Sequence, residues 1–139
     1  MKIGLDIHGC IDKYPELFSK LSGECILKKG FEIHIITGQE WQNAKPIVER
    51  LDIRYTYHYS IVDHHRKIGT PMYKRTDKDG YWMDRELWVK SKGDYATSVG
   101  LDLHFDDSTE YGKYFPDNCT YVLVKEGFKE VIQLLKEEL

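Results

Sequence analysis

The chain has 139 residues, 41% of them hydrophobic, which suits one packed domain and argues against disorder. Its net charge of −3 argues against a protein that binds nucleic acid through an overall basic surface. No apolar run approaches the roughly 18 residues of a membrane span, and no signal-peptide pattern precedes the first strand. The three cysteines lie far apart without a CxxC pair, so neither a disulfide framework nor a zinc ribbon is indicated. We therefore expect one domain, residues 1–139, in the cytoplasm and without membrane contact.

Hydrophobic periodicity predicts strands that alternate with helices along the chain. Strands are expected over residues 2–6, 31–36, 53–59, 101–105 and 120–124. Helices are expected over residues 16–29, 41–51, 83–99 (broken or kinked near Gly93) and 128–139. In the second helix, either Ile47 or Val48 completes the apolar face. The alternation predicts an α/β fold with a parallel sheet covered on both sides, and residues 60–82, which show neither period, would form a small insertion.

Three of the predicted strands end in polar residues: Asp6, Thr37 and the pair Asp106 and Asp107. Parallel sheets bind ligands at the carboxyl ends of their strands, so these side chains are expected to face one site. Carboxylate oxygens are suitable ligands for Mg²⁺, and a threonine hydroxyl can donate to a phosphate oxygen. The pattern predicts a phosphoryl-transfer site in which Asp6 can be both metal ligand and nucleophile.

Four segments, in chain order, resemble the motifs of the haloacid dehalogenase superfamily of phosphatases. They are IGLDIHGCID, the strand IHIITG, a lysine ahead of the fourth strand, and LDLHFDDS. Both Lys90 and Lys92 are candidates for the third motif, and the spacing to Gly100 favours Lys92. The resemblance covers positions 3 to 108 and is closest to small, minimally capped, nucleotidase-like members. It implies a Rossmann-like three-layer sandwich around a central parallel five-stranded sheet, with Asp6 on the central strand.

The same resemblance implies a Mg²⁺-dependent phosphohydrolase that forms an aspartyl-phosphate at Asp6. The implied metal ligands are Asp6, the backbone carbonyl of His8, Asp106 and Asp107. The residues implied to hold the phosphate are Thr37, Gly38 and Lys92. The implied substrate is a small phosphorylated molecule, with nucleotides as one candidate class.

One position departs from the family pattern. The family's phosphatases carry a second aspartate two residues after the nucleophile, where it protonates the leaving oxygen and then activates water. This chain has His8 there. An imidazole can do acid–base work, but its reach differs from that of a short carboxylate. Because acid–base help is typically worth roughly 10²–10⁴-fold, a misplaced His8 would leave a slow enzyme, with Asp12 as another acid in the same stretch.

Residues 64–78 form a basic segment surrounded by tyrosines and a tryptophan. Its charged residues are Arg66, Lys67, Lys74, Arg75 and Lys78, against the single acid Asp77. Such a segment can hold phosphates and stack bases, which makes Arg66 and Lys67 candidate substrate-binding residues. A solvated loop beside ordinary strand tyrosines explains the pattern as well.

Three functions follow from these patterns. The first is a phosphomonoesterase for a small metabolite or nucleotide. The second is a catalytically weak phosphate- or nucleic-acid-binding module that keeps the metal site. The third is an end-processing phosphatase that uses the basic segment to hold nucleic acid. The sequence predicts no particular oligomeric state.

Overall fold

The computed structural model describes residues 1–77, 80–125 and 127–139. In chain order, the strands are β1 (Lys2–Leu5), β2 (Glu32–Thr37), β3 (Tyr57–Ser60), β4 (Tyr73–Lys74), β5 (Tyr81–Trp82), β6 (Leu103–Asp106) and β7 (Thr120–Leu123). The α-helices are α1 (Pro15–Ile26), α2 (Trp41–Arg50), α3 (Ile61–Lys67), α4 (Arg85–Val99) and α5 (Lys129–Glu137). Five strands form one parallel sheet in the order β3-β2-β1-β6-β7, while β4 and β5 form a separate antiparallel ribbon. The expected α/β, Rossmann-like sandwich is confirmed.

One face of the sheet packs against α1, α2 and α5 in a continuous apolar core. Successive strand residues point to opposite faces, and this face carries the aliphatic and aromatic side chains of β1, β2 and β6. Phe18 of α1 meets Phe105 of β6 edge to face, with ring centroids 5.5 Å apart. Of the two alternatives in α2, Val48 is fully buried and Ile47 is only partly buried. Proline at the first position of α1 fits a helix start, since its missing N–H would have no helical partner there.

The opposite face packs against α4 and carries polar and aromatic residues. The pairing register aligns four of them with Gly4 across the sheet, in the order Tyr57, His34, Gly4, His104 and Tyr121. His34 and His104 are buried, and Gly4 lies between them. A Cβ at position 4 would lie 2.5 Å from Nδ1 of His104, so only glycine leaves room for that imidazole.

Several sequence-based boundaries were wrong. The first helix ends at Ile26 instead of residue 29, and β3 begins at Tyr57 instead of residue 53. Residues 60–82 contain α3 and the β4–β5 ribbon. The start of α3 had a readable signal, because Ser60 Oγ accepts a hydrogen bond from the backbone N–H of Asp63 (3.1 Å).

The expected break near Gly93 was also wrong, because α4 is one uninterrupted helix. Gly93 has a packing role. A Cβ there would overlap the backbone carbonyl of Tyr114, which lies in the short 3₁₀ turn Gly112–Tyr114. Among the described residues, no helix is long and apolar enough to cross a membrane.

Candidate functional site

The polar strand ends meet at the point where the chain order of the sheet reverses. β1 is the middle strand, paired with β2 on one side and with β6 on the other. Asp6 directly follows β1, and its backbone N–H donates to the carbonyl of Phe105 in β6 (3.0 Å). Thr37 ends β2 and Asp106 ends β6, so the three side chains are carried by neighbouring strands. This is the edge at which open parallel sheets bind ligands.

Lys92 joins this cluster from α4. Its ammonium nitrogen lies 3.0 Å from Asp6 Oδ1 and 2.8 Å from Asp106 Oδ2, and the residue is only 2% exposed. Lys90, the other candidate of the sequence, is exposed. An ammonium has three N–H donors, so Lys92 keeps one for a phosphate oxygen after binding both carboxylates.

The buried charges of this cluster do not balance. Burial opposes ionisation of Asp106, but Lys92 and the hydrogen bond from His104 outweigh it and hold the pKa of Asp106 well below its usual range. Burial raises the pKa of Asp6 to about 7. The positive charge of Lys92 opposes this shift, and repulsion from Asp106 adds to it. Burial also disfavours the ammonium, but the two carboxylates outweigh it and raise the pKa of Lys92. One lysine thus neutralises one carboxylate of two, and a further cation would stabilise ionised Asp6.

Asp107 completes a group of carboxylates that fits a metal ion. One oxygen each from Asp6, Asp106 and Asp107 can be chosen so that all lie within 4.8 Å of one another. Gly9 lies directly against Asp107, where any Cβ would overlap the carboxylate, and its φ of +74° favours glycine. An all-oxygen, carboxylate-rich set is the donor chemistry that Mg²⁺ prefers, so these residues fit the ion that the resemblance implies.

His104 supports Asp106 from behind. Its Nε2 lies 3.0 Å from Asp106 Oδ2, and since a carboxylate only accepts, the imidazole is the donor. The ring is fully buried and stacks on Phe115 at a centroid distance of 4.9 Å. Sequence reasoning missed this residue, although a histidine two residues before Asp106 in a strand shares its face.

His8 lies in the turn that follows β1 and is paired with Asp12. His8 Nδ1 donates to Asp12 Oδ2 (3.1 Å), and the other oxygen of Asp12 accepts from the backbone N–H of Gly9 (2.8 Å). The carboxylate thereby orients the ring and leaves Nε2 as the nitrogen available for proton transfer. The imidazole side chain is 58% exposed and borders the pocket described next.

A pocket of about 340 Å³ opens above these residues. It brings together six residues predicted from the sequence: Asp6, His8, Thr37, Gly38, Lys92 and Asp107. It also contains Arg75 of the basic segment and the neighbouring Tyr81, together with residues that sequence reasoning missed, among them Gln39, Trp88, Ser108 and Tyr111. Comparisons with family models, curated proteins and solved structures return no match.

The basic segment contributes less to the pocket than the sequence predicted. Arg66 and Lys67 lie on α3, outside the pocket lining. Arg66 is bound to Glu40 (3.1 Å), and its guanidinium packs on the ring of Tyr81 at 5.0 Å. Arg75 does border the pocket, and Lys78 falls outside the described residues.

Proposed function

We propose that the chain is a Mg²⁺-dependent phosphomonoesterase of the haloacid dehalogenase type, with Asp6 as nucleophile. The observation that carries this proposal is the position of Asp6. Its buried carboxylate lies on the floor of the pocket, in contact with Lys92 and beside the carboxylates of Asp106 and Asp107. A nucleophile, a fixed cation and a candidate metal site thus converge on one pocket, as phosphoryl transfer requires.

The residues of the chain supply each part of the reaction. Lys92 holds Asp6 Oδ1, which leaves Oδ2 to attack the phosphorus atom. The hydroxyl of Thr37 and the free N–H of Lys92 donate to the phosphate oxygens. Bound Mg²⁺, held by Asp6, Asp106 and Asp107, would offset the negative charge of the phosphate.

His8 handles the protons. As the Asp6–phosphorus bond forms and the ester P–O bond breaks, Nε2 of protonated His8 gives its proton to the leaving oxygen. Neutral His8 then takes a proton from water, which attacks the phosphorus of the aspartyl-phosphate. The products are free Asp6, inorganic phosphate and the alcohol. The contact with Asp12 favours this active role of His8 over an inert replacement, because it fixes the ring as an acid–base residue requires.

Replacement of the nucleophile tests the proposal. Wild type should hydrolyse p-nitrophenyl phosphate with added Mg²⁺ and lose this activity in chelator. Asp6→Asn should lower kcat by at least about 10³-fold, because an amide cannot form the covalent intermediate. The matched control is Asp117→Asn, an exposed residue outside the site, which should keep wild-type kcat. Circular dichroism should show that both variants are folded.

Two results would contradict the proposal. Full activity in Asp6→Asn would show that Asp6 is not the nucleophile. Undiminished hydrolysis in chelator would remove the metal from the reaction, even if Asp6 were essential.

A further inference from the structure

We propose that the pocket selects nucleoside monophosphates, with the base held by the aromatic residues Trp88, Tyr81 and Tyr111. As a statement about substrates the proposal rests on the proposed phosphatase function, whereas as a statement about binding it can be tested alone. Five features support it: an aromatic wall next to the phosphate end, the β4–β5 ribbon that supplies the outer part of that wall, the size of the pocket, an unpaired oxygen of Gln39, and the pairing of the nearby arginines with carboxylates of the protein.

The aromatic wall begins at the phosphate end of the pocket. The indole of Trp88 covers Gly38, where a Cβ would lie 2.6 Å from a ring carbon, so glycine is what allows the ring to pack beside Thr37. Trp88 Nε1 donates to the hydroxyl of Tyr111 (3.1 Å), and the ring centroid of Tyr111 lies 4.4 Å from Nζ of Lys92. A ligand whose phosphate lies at Lys92 would therefore place its next group against these rings.

The β4–β5 ribbon supplies the outer part of the wall. Tyr81 borders the pocket, and the guanidinium of Arg66 packs on its ring at 5.0 Å. Trp82 contacts Trp88 with ring centroids 5.1 Å apart, which anchors the ribbon to α4. Arg75 lies over Trp82 at 5.2 Å and also borders the pocket. Aromatic rings and arginine planes are the surfaces on which nucleic-acid bases stack.

The size of the pocket and one polar atom narrow the ligand further. A volume of about 340 Å³ lies at the small end of the range for small-molecule sites, which suits a mononucleotide better than a longer chain. Gln39 borders the pocket, and its Oε1 is buried without a hydrogen-bond partner in the described part of the chain. An N–H or hydroxyl of a nucleoside could donate to this oxygen. An unpaired buried acceptor is otherwise unfavourable.

The local charge favours a mononucleotide over a polynucleotide. Polynucleotide binding depends on several cations that are free to contact successive phosphates. Arg66 is instead paired with Glu40 and lies near Asp63, while Arg75 makes two hydrogen bonds to Asp77 (3.1 and 3.0 Å). Two of the five cations of this segment, Arg66 and Arg75, are thus paired with carboxylates of the protein.

The first experiment measures binding by Asp6→Asn, which cannot turn the ligand over. The ligands are adenosine 5′-monophosphate, cytidine 5′-monophosphate and ribose 5-phosphate, titrated calorimetrically with Mg²⁺ present. The nucleotides differ from ribose 5-phosphate chiefly by the base, so the ratio of Kd values cancels the contributions of phosphate and metal. We expect at least one nucleotide to bind about 10-fold or more tightly than ribose 5-phosphate. Equal Kd values for all three ligands would overturn the proposal.

The second experiment assigns the preference to the ribbon. Tyr81→Leu in the Asp6→Asn background should reduce the ratio of nucleotide affinity to ribose 5-phosphate affinity about fivefold or more, because the nucleotides lose a stacking surface that ribose 5-phosphate does not use. The matched control is Tyr73→Leu, since Tyr73 lies on the same ribbon, is 60% exposed and does not border the pocket. An unchanged preference in Tyr81→Leu, or an equal loss in both variants, would overturn the assignment to this wall.

Two further outcomes separate this proposal from the phosphatase proposal. Wild type that hydrolyses ribose 5-phosphate and the nucleotides with equal kcat/KM would contradict the nucleoside proposal while the phosphatase proposal stands. A nucleotide preference in Kd without turnover by wild type would support the binding proposal and contradict the phosphatase proposal.

A 5′-phosphorylated octanucleotide that binds much more tightly than the mononucleotides would overturn the mononucleotide proposal and show a polynucleotide site instead.

Discussion

His8 occupies the position of an aspartate in the phosphatases that this chain resembles. Its contact with Asp12 affects whether His8 can replace that aspartate in proton transfer. A histidine held by a carboxylate is a common arrangement for proton transfer, because the carboxylate fixes the ring orientation and the tautomer. His8 Nδ1 and Asp12 Oδ2 are 3.1 Å apart in this chain. At the residue scale, this contact predicts that His8 protonates the leaving group.

The dependence of kcat/KM on the leaving group tests this role of His8. A general acid matters most when the leaving oxygen is strongly basic, so His8→Ala should lower kcat/KM for an alkyl phosphate by roughly 10²–10⁴-fold. For p-nitrophenyl phosphate, whose leaving group needs little protonation, the loss should be much smaller. Asp12→Asn should show the same pattern with a smaller amplitude, and His8→Asp should keep or raise activity. An equal loss for both substrates in His8→Ala would mean that the residue has only a structural role.

The residues proposed to be catalytic were more predictable from the sequence than the residues proposed to bind the base. Asp6, Thr37 and Asp106 could be found because each ends an apolar strand, and strand ends of a parallel sheet face one edge. Trp88 and Tyr111 could not be found in this way. They reach the pocket through the packing of α4 on Gly38 and through a hydrogen bond between distant positions, and no local pattern encodes either contact.

At the scale of elements, α4 was predicted where it occurs, but the role of Gly93 was misjudged. Helix propensity treats a glycine in mid-helix as a weak point, and this led to the expected break. The structure shows that the glycine lets the 3₁₀ turn approach the helix, with the carbonyl of Tyr114 in the space that a Cβ would need. The β4–β5 ribbon was missed for a related reason. Strands of two residues are too short to show a period, and their place depends on Trp82 packing on Trp88.

Two alanine substitutions separate propensity from packing. Glycine to alanine in a helix interior normally stabilises by roughly 1 kcal/mol. Gly23→Ala in α1 should show this gain, because a Cβ there would meet no atom within 4 Å. Gly93→Ala should instead destabilise the fold by roughly 1–3 kcal/mol, because the methyl group would force the backbone of Tyr114 away. Urea unfolding of both variants measures the sign of each change in the free energy of unfolding. A stabilised Gly93→Ala would show that the carbonyl of Tyr114 does not approach position 93 closely in solution.

At the scale of the whole molecule, the two faces of the sheet differ in the titratable groups that they bury. The face against α1, α2 and α5 is apolar, whereas the face against α4 buries His34 and His104. His34 is satisfied as a neutral ring, because Nε2 donates to Glu32 (3.0 Å) and Nδ1 accepts from the hydroxyl of Tyr95 (2.6 Å). Burial lowers the pKa of His34 below its ordinary 6.5, although Glu32 opposes the shift. A proton on this ring would turn the acceptor facing Tyr95 into a donor.

This arrangement predicts a loss of stability in mild acid. Below about pH 6.5 the histidine of the unfolded chain takes up a proton, whereas buried His34 of the folded chain does not, because its pKa is lower. The contribution of His34 to the free energy of unfolding is therefore complete above pH 6.5. It decreases as the pH falls towards the pKa of the folded state. One such group changes the free energy of unfolding by at most about 1.4 kcal/mol per pH unit. His34→Gln keeps a donor and an acceptor but cannot titrate, so its stability should fall less steeply between pH 6.5 and 5. Asp6, whose pKa is raised to about 7, makes the opposite contribution, which stabilises the folded state as the pH falls through this range. Both proteins contain Asp6, so its contribution cancels when their free energies of unfolding are subtracted. Urea unfolding of wild type and His34→Gln at several pH values measures that difference, and parallel curves would mean that His34 does not sense pH in the folded protein.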